Sequence, residues 1–423
     1  MTTTSTTHPL SLKETARVAP PAAPIPTSRQ GSSTRSVHAG ASREKPYHAL
    51  IEPIVQTATY TFENSADVCE FQEAHGRGEA HGRQEYGRYG NPTVAAAESR
   101  LAALEGAAGA IMLASGMAAE TSILLSLLST GEHLVITDDC YRRTRQFVQE
   151  YLPRFGISHT VVPLGDYGAL ERAIQPNTRL LVSETPTNPY LRVLDVERFA
   201  AVAQANGLIS IVDSTFATPI NLRPLEWGID LVIHSGTKYL GGHNDLLCGF
   251  VAGSAELIAA LRQSVGVIGA IPDPQNAYLL LRGLKTLSLR VAHQNRSGQL
   301  VAEYLESRPE IERVWYPGLS SHPDYPVASR QMEGFGGVVS FCVRGDVTTA
   351  SHFIDSLQIP YISPSLGGTE SLVIQPALMS YYDYTTEQRQ ALGIRDNLVR
   401  LALGLEDAPD LIADLGQALD CIH

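Results

Sequence analysis

Cysteine is scarce in this 423-residue chain, and the five present, Cys69, Cys140, Cys248, Cys342 and Cys421, are odd in number and widely scattered. That pattern excludes a disulfide framework and a CxxC metal site, and it points to a reducing compartment, here read as the cytoplasm. Basic charge is in deficit: 32 Lys and Arg stand against 44 Asp and Glu, a net charge of −12. A nucleic acid or an anionic membrane is thereby disfavoured as the main partner, although a small anionic ligand can still find a local basic pocket. No uninterrupted apolar run reaches the roughly 18 residues that a membrane span requires. What is present is 43% hydrophobic and 18% charged residues, the composition of a chain with a sizeable core rather than a disordered one. At about 150 residues per domain, two or three lobes are expected.

Residues 1–34 are rich in Thr, Ser, Pro and Ala, with Glu14 the only acidic residue, and read as a disordered tail. The apolar core of a secretory signal is absent, though a Ser-rich, acid-poor stretch is also what an organelle transit peptide shows. A near-repeat, Ala74-His-Gly-Arg77 and Ala80-His-Gly-Arg83, reads as an exposed loop. His75 and His81 lack supporting ligands at metal-binding spacing, so no metal is expected.

From residue 110 short apolar runs alternate with helix-length amphipathic stretches, the grammar of an α/β fold with an open, mostly parallel sheet. The expected strands are 110–113, 133–137, 159–162, 180–183, 208–212, 231–234 and 249–252, separated by helices at 117–128, 141–152, 167–174 and 196–205. A long helix over 276–305 then leads to a smaller α+β region, with strands at 338–343 and 398–403 and helices at 348–357 and 409–422. The expected organisation is a tail (1–34), an N-terminal arm making subunit contacts (35–95), a large domain (96–275), and a connecting helix with a small C-terminal domain (276–423).

Ligands of open α/β sheets gather at the carboxyl ends of strands, and polar clusters follow these apolar runs with regularity. They are Ser115-Gly-Met117, Asp138-Asp-Cys-Tyr141, Glu184-Thr-Pro-Thr-Asn-Pro189, Asp213-Ser-Thr215 and His234-Ser-Gly-Thr-Lys238. Ser115, Gly116 and Met117 at a helix N-terminus offer free N–H groups and a positive dipole end suited to a phosphate, and Ser235 and Thr237 add hydroxyls. Lys238, once desolvated, becomes an amine able to form a Schiff base. Asp213 ends an apolar strand and needs a cationic partner, which a protonated pyridine supplies. Tyr141 offers a stacking face. Phosphate cup, amine, aspartate and ring together describe a pyridoxal phosphate site.

The wording of these clusters resembles the Cys/Met-metabolism family of pyridoxal phosphate enzymes. The resemblance rests on His234-Ser-Gly-Thr-Lys-Tyr-Leu-Gly-Gly-His-Asn-Asp245, Tyr86-Gly-Arg-Tyr-Gly-Asn-Pro-Thr93, Ser115-Gly-Met117, Glu184 to Pro189, Asp213 to Pro219 and Gly334-Phe-Gly-Gly337, in family order from about Thr34 to the C-terminus. It implies the aspartate-aminotransferase-like fold (fold type I), with a mostly parallel seven-stranded sheet and a smaller C-terminal α+β domain. It also implies a homo-oligomer, a dimer of dimers with shared active sites. Carried over, Lys238 is the cofactor-bonding amine and proton shuttle, Asp213 pairs with the ring nitrogen, Tyr141 stacks on the ring and Asn188 lies near the ring hydroxyl. Ser115, Gly116, Met117, Ser235 and Thr237 hold the phosphate, with Tyr86 and Arg88 reaching it from the neighbouring subunit. Arg400 grips the substrate carboxylate, and Ser365 positions Arg400 and Lys238.

Tyr89, the run Cys140-Tyr-Arg-Arg-Thr-Arg145, Pro364 and Gln375-Pro-Ala-Leu-Met-Ser-Tyr381 point to the branch that makes cystathionine, in the form found in plants. The implied reaction is γ-replacement on a phospho-, acetyl- or succinyl-homoserine by cysteine, with small amino acids as partners; the alternatives are a γ-lyase or an O-acylhomoserine sulfhydrylase. Arg142, with Arg143 and Arg145, is either a phosphate grip for the substrate or part of a solvated helix face. Ser235-Gly-Thr-Lys238 is formally a serine-hydrolase S-x-x-K string, but its companion S-D-N and K-T-G strings are absent. The full set of Lys238, Asp213, Tyr141 and Arg400 argues against a non-catalytic binding protein.

Overall fold

The computed structural model describes residues 30–77 and 83–422. Strands β1 (Gly109–Leu113), β2 (His133–Thr137), β3 (Ser158–Val162), β4 (Thr178–Glu184), β5 (Ile209–Asp213), β6 (Leu231–Ser235) and β7 (Gly249–Gly253) form one sheet in the order β1-β7-β6-β5-β4-β2-β3. Only β7 runs antiparallel to its neighbours β1 and β6. The other six therefore present their carboxyl ends at one edge. Strands β2 and β6 are nearly continuous apolar runs because helices cover both faces and leave no solvated side to alternate toward.

Local chemistry sets the helix starts. Asn91 caps α3 (Pro92–Glu105) through Oδ1, which accepts the Thr93 and Val94 N–H groups, with Pro92 in the first turn where no donor is needed. Ser115 Oγ caps α4 (Gly116–Leu127) by accepting the Ala118 N–H. Asp195 caps the helix Val196–Ala205 in the same way.

A second sheet, β8 (Ile311–Trp315), β9 (Val338–Val343), β10 (Tyr361–Ile362), β11 (Leu372–Ile374) and β12 (Leu398–Ala402), has the order β10-β11-β12-β9-β8. Phe341, Phe353, Leu401 and Leu415 fill its core against the helices Leu287–Ser307 and Ala408–Asp420. Between the sheets a third cluster, including Tyr239, Leu280, Leu284, Val338, Leu366 and Ala402, holds the two halves together. The large and small units expected from sequence are thus two sheets joined by a packed seam.

Several expectations need correction. The tail falls outside the described residues up to 29, but a helix α1 (Ser32–His38) begins two residues before its expected end, and Ser32 and Ser33 meet the Ser288 hydroxyl. The first Ala-His-Gly copy is no loop: it closes the helix α2 (Ser65–Gly76), where His75 stacks on Phe71. His81 lies outside the described residues. The expected limits at 95 and 275 both fall inside helices. The single long helix is two, Pro274–Leu284 and Leu287–Ser307. At the break, the buried Arg290 guanidinium caps the Gly283 carbonyl and also donates to the Tyr239 carbonyl. Gly283 is required there, since a Cβ would sit 2.2 Å from the Gly241 carbonyl oxygen. The stretch 141–152 is a short α-helix, Arg142–Gln146, relaxing into a wider π turn over Phe147–Tyr151. Strands β8, β10 and β11 were not anticipated. Among the described residues no helix is long and apolar enough to cross a membrane.

Candidate active site

The carboxyl edge of the large sheet collects the polar clusters. At the start of α4 the Gly116 and Met117 N–H groups meet no acceptor among the described residues, which leaves two donors at the positive end of the helix dipole. Gly116 lies against Ser235 so closely that a Cβ would come within 2.9 Å of the Ser235 Cβ. The residue is glycine because the two backbones must meet to form the cup. Ser235 is held from the other side, its N–H donating to Thr215 Oγ1 at 2.8 Å, while its own hydroxyl has no partner among the described residues. The Thr237 hydroxyl, expected in the same cup, is engaged with the Cys248 backbone, donating to its carbonyl at 3.3 Å and accepting its N–H at 3.1 Å. Met117 is tied to Thr144 by a hydroxyl-to-sulfur contact of 3.9 Å.

Asp213 stands next to this cup. Its Oδ1 accepts the Thr215 N–H at 2.9 Å and the Thr215 hydroxyl at 2.5 Å. Burial raises the Asp213 carboxyl above its ordinary range, and the Thr215 donors oppose that rise. No Lys or Arg pairs with it among the described residues. Glu184 is in register with Asp213 on the neighbouring strand, and its Oε2 accepts the Tyr141 N–H at 2.5 Å. That bond sets where the Tyr141 ring emerges, 42% exposed, just ahead of the Arg142 helix.

A second chain of contacts crosses between the sheets. Lys238 Nζ donates to Ser365 Oγ at 2.7 Å. Arg400, in β12, donates through Nη2 to the Ser365 carbonyl and through Nη1 to Asn188 Oδ1, both at 2.9 Å. Ser365 has φ of 99°, a left-handed conformation that costs a non-glycine residue on the order of 1–3 kcal/mol. Bonds at both its hydroxyl and its carbonyl hold it there. Arg400 is 5% exposed, has no ion-pair partner among the described residues, and its Nε is enclosed without an acceptor. Burial lowers its guanidinium to about 10, and burial followed by the Arg400 charge lowers Lys238 to about 8.

Arg142 and Arg145 turn inward while Arg143 is exposed and bonds only Gln146. Arg142 lies 5.8 Å from the ring centre of the buried Tyr381, and Arg145 Nε is enclosed without an acceptor. The solvated-face reading therefore holds for Arg143 alone. Tyr86 and Arg88 are not drawn into this group within the chain: Arg88 donates to the Gly266 carbonyl at 2.6 Å and stacks beside Tyr86 and Tyr89. A cleft of about 640 Å³ opens beside the site, touching it through Thr237 and Ser365 rather than enclosing Lys238.

Three residues were not singled out from sequence. Glu184 sits inside a quoted motif, and its signal is the acid at the end of β4 beside Asp213. Tyr381 was noted only as part of a string. Glu120 is the one charged residue in α4, a readable anomaly in an otherwise uncharged helix. The arrangement as a whole offers an anion cup and a half-buried carboxylate at the sheet edge, with a desolvated amine bonded through Ser365 to a buried guanidinium. It can hold a small aromatic phosphate and an amino acid together.

Known proteins resemble this chain over most of its length. The family model for Cys/Met metabolism PLP-dependent enzymes matches residues 33–420. The chain is 47% identical over 398 residues to cystathionine gamma-synthase 1, chloroplastic, of Arabidopsis thaliana, covering 93% of this chain and 69% of that protein. It is 40% identical over 391 residues to L-methionine gamma-lyase of Pseudomonas putida, covering 92% and 97%. The crystal structure of metB from Corynebacterium glutamicum superposes with a TM-score of 0.87 at 37% identity, covering 94% of this chain and all of that one. A match spanning nearly the whole chain places the chain in the Cys/Met metabolism family of PLP-dependent enzymes.

Proposed function

We propose that this enzyme is a cystathionine γ-synthase: it replaces the γ-substituent of an O-activated homoserine with cysteine. The observation that carries the reading is the hydrogen-bonded group Lys238–Ser365–Arg400–Asn188, in a chain 47% identical to a plant enzyme of that name.

The residues fit pyridoxal 5′-phosphate. The α4 cup is too close to Ser235 to admit a side chain and has free donors for a phosphate. Asp213 lacks the cation that a ring nitrogen supplies, and the enclosed Arg400 lacks the anion that an amino-acid carboxylate supplies. Gly116, Met117 and Ser235 would hold the phosphate, Asp213 the ring nitrogen and Tyr141 the ring face. Asn188, its amide NH₂ unspent, would meet the ring hydroxyl. Thr237 would have to rotate from Cys248 to join the phosphate donors, and Ser115 acts on the cup indirectly, by capping α4. When bound, the cofactor supplies an electron sink for charge developing at the substrate's α- and β-carbons.

The chain's own contribution is binding and proton handling. Arg400 orients the substrate by its carboxylate through a fork already fixed by Asn188 and Ser365. Lys238, held at Ser365, takes the proton from the α-carbon and returns one at a neighbouring carbon. Tyr141 presents its hydroxyl as a second proton carrier. Arg142 and Arg145, inward-facing beside Tyr381, grip an anionic leaving group. Tyr86 and Arg88, directed away from this chain's cup, serve the cup of a second copy, in a dimer of dimers. The compartment proposed is the cytoplasm, whereas the Arabidopsis relative is described as chloroplastic.

A lyase reading has specific support in the 40% identity to a methionine γ-lyase. Purified enzyme supplied with phospho-, acetyl- or succinyl-homoserine, each with cysteine or sulfide, separates the two. Cystathionine from at least one donor is expected. Formation of 2-oxobutanoate alone in every combination would overturn the synthase assignment.

Lys238 also sets a pH dependence. Only the neutral amine is nucleophilic, and with its proton affinity lowered to about 8 roughly one tenth is neutral at pH 7. The rate at which the cofactor-free chain captures pyridoxal phosphate, followed by stopped-flow absorbance, should rise about tenfold per pH unit below 8 and level off above it. A midpoint near 10, the ordinary lysine range, would contradict this.

A further inference from the structure

After β4 the chain turns back on itself over residues 187–192, and Asn188, one of the two groups that hold the Arg400 guanidinium, stands on that turn. The turn is closed by its own backbone: the Thr187 N–H donates to the Arg192 carbonyl at 3.0 Å and the Leu191 N–H to the Thr187 carbonyl at 3.1 Å. From the small sheet, the Ser340 hydroxyl on β9 donates to the Pro189 carbonyl at 2.6 Å. Arg192 is fixed by Asp324, Nε donating to Oδ2 at 2.6 Å. Among the described residues, the hydrogen bond that reaches this turn from another loop of the large sheet is made by Asp139, in the segment after β2.

Asp139 Oδ2 accepts the Thr187 hydroxyl at 2.5 Å. Thr187 is fully buried, and its oxygen already accepts the Arg192 N–H at 3.0 Å. Its proton therefore depends on Asp139: without that acceptor a buried donor is stranded, and the turn must shift to find another. Burial raises the Asp139 carboxyl to about 6, against the pull of the Thr187 bond and with Asp138 adding to the rise, while Arg192 and Arg145 oppose it. At neutral pH the group is still ionised and able to accept. Asp139 also stands two residues ahead of Tyr141. The bond thus joins the loop that carries Tyr141 to the turn that carries Asn188.

We propose that Asp139 is a positioning residue for the substrate: through the Thr187 hydroxyl it fixes the turn that presents Asn188, and thereby keeps the Arg400 guanidinium aimed for the substrate carboxylate. Thr187 and Asn188 are consecutive, so a displacement of one moves the other. When Asn188 swings away, Arg400 Nη1 loses its acceptor and the Ser365 carbonyl alone holds the fork. A fixed fork meets the carboxylate without further ordering; a loose one has to be ordered on binding, and a misplacement of about 1 Å weakens the contact. The consequence is selective. Grip on the carboxylate suffers, while the substrate's amine, which goes to the cofactor, is not held by Arg400. The inference rests on the proposed role of Arg400 as the carboxylate grip.

The test uses the cofactor-loaded full chain and two probes, L-homoserine and 3-aminopropan-1-ol, which is the same amino alcohol without the carboxylate. Stopped-flow absorbance gives the second-order rate at which each perturbs the cofactor's visible band. In Asp139→Ala, and in the isosteric Thr187→Val, the rate with L-homoserine should fall about 10-fold and that with 3-aminopropan-1-ol by less than about twofold. Either of these variants that folds decides the matter. Thr187→Ser restores the hydroxyl and Asp139→Asn an acceptor oxygen, so each should recover most of the loss. The double variant Asp139→Ala/Thr187→Val should be no slower than the slower single one, since both groups act through one bond. A residue that merely stabilised the turn would slow both probes alike; that result, or an unchanged rate with L-homoserine, would overturn the role of Asp139 and leave the Arg400 reading intact. A wild type that takes both probes at one rate would overturn the Arg400 reading itself.

Discussion

Lys238→Ala should abolish the reaction, lowering kcat by about 10³-fold or more, because the chain then lacks both its cofactor-bonding amine and its carrier for the α-proton. Treatment with borohydride followed by mass spectrometry should find cofactor fixed to the wild-type chain and none on the variant. The fold should survive. Lys238 makes one hydrogen bond, to Ser365, and its loss costs on the order of 1 kcal/mol, partly offset by removal of a desolvated charge. A variant that still traps cofactor, or retains activity within tenfold of wild type, would mean that the amine is another lysine.

The second large effect is expected at Arg400. Its guanidinium is enclosed, without a protein counter-charge, and already bonded to Asn188 and Ser365, so a substrate carboxylate meets a fork that needs no further ordering. Removing one partner of such a pair costs about 3–4 kcal/mol, and kcat/KM for Arg400→Ala should fall roughly 10²- to 10³-fold, mainly through KM. Arg400→Lys keeps the charge but cannot reach Asn188, Ser365 and the substrate at once, so it should recover only part of the loss. The two variants differ in a second measurement. Arg400's charge helps hold Lys238 down near 8; the midpoint for cofactor capture should therefore move up in Arg400→Ala and stay low in Arg400→Lys. A kcat/KM within about threefold of wild type in Arg400→Ala would remove Arg400 from the site.

Both residues were readable in the linear chain, and the reasons differ. Lys238 follows β6, which is buried on both faces and so appears as an unbroken apolar run with its polar end plainly marked. The same logic located β2, β4, β5 and β7 to within two residues. Arg400 sits in the middle of an apolar strand, where composition says only that a buried charge needs a partner; its role came from resemblance. Failures cluster where local pattern is weak. Strand β8 alternates irregularly because Glu312 and Arg313 face solvent together, and β10 and β11, two and three residues long, carry no period. The division of the long helix near Lys285 depends on Gly283 meeting Gly241 and on Arg290 reaching the Tyr239 carbonyl, contacts between residues more than forty positions apart.

The linear chain determined the class of fold, the edge of the sheet that carries the chemistry and most of the groups that line it, because strand burial and helix capping act over a few neighbouring residues. Tertiary packing decided the rest. It selected Arg142 and Arg145 over Arg143, drew Thr237's hydroxyl toward Cys248, and forced Ser365 into a left-handed turn between Lys238 and Arg400. These outcomes depend on electrostatics and hydrogen bonds between groups far apart in sequence. The proton affinity of a buried acid or amine is a property of what surrounds it, and only the folded chain assembles those surroundings.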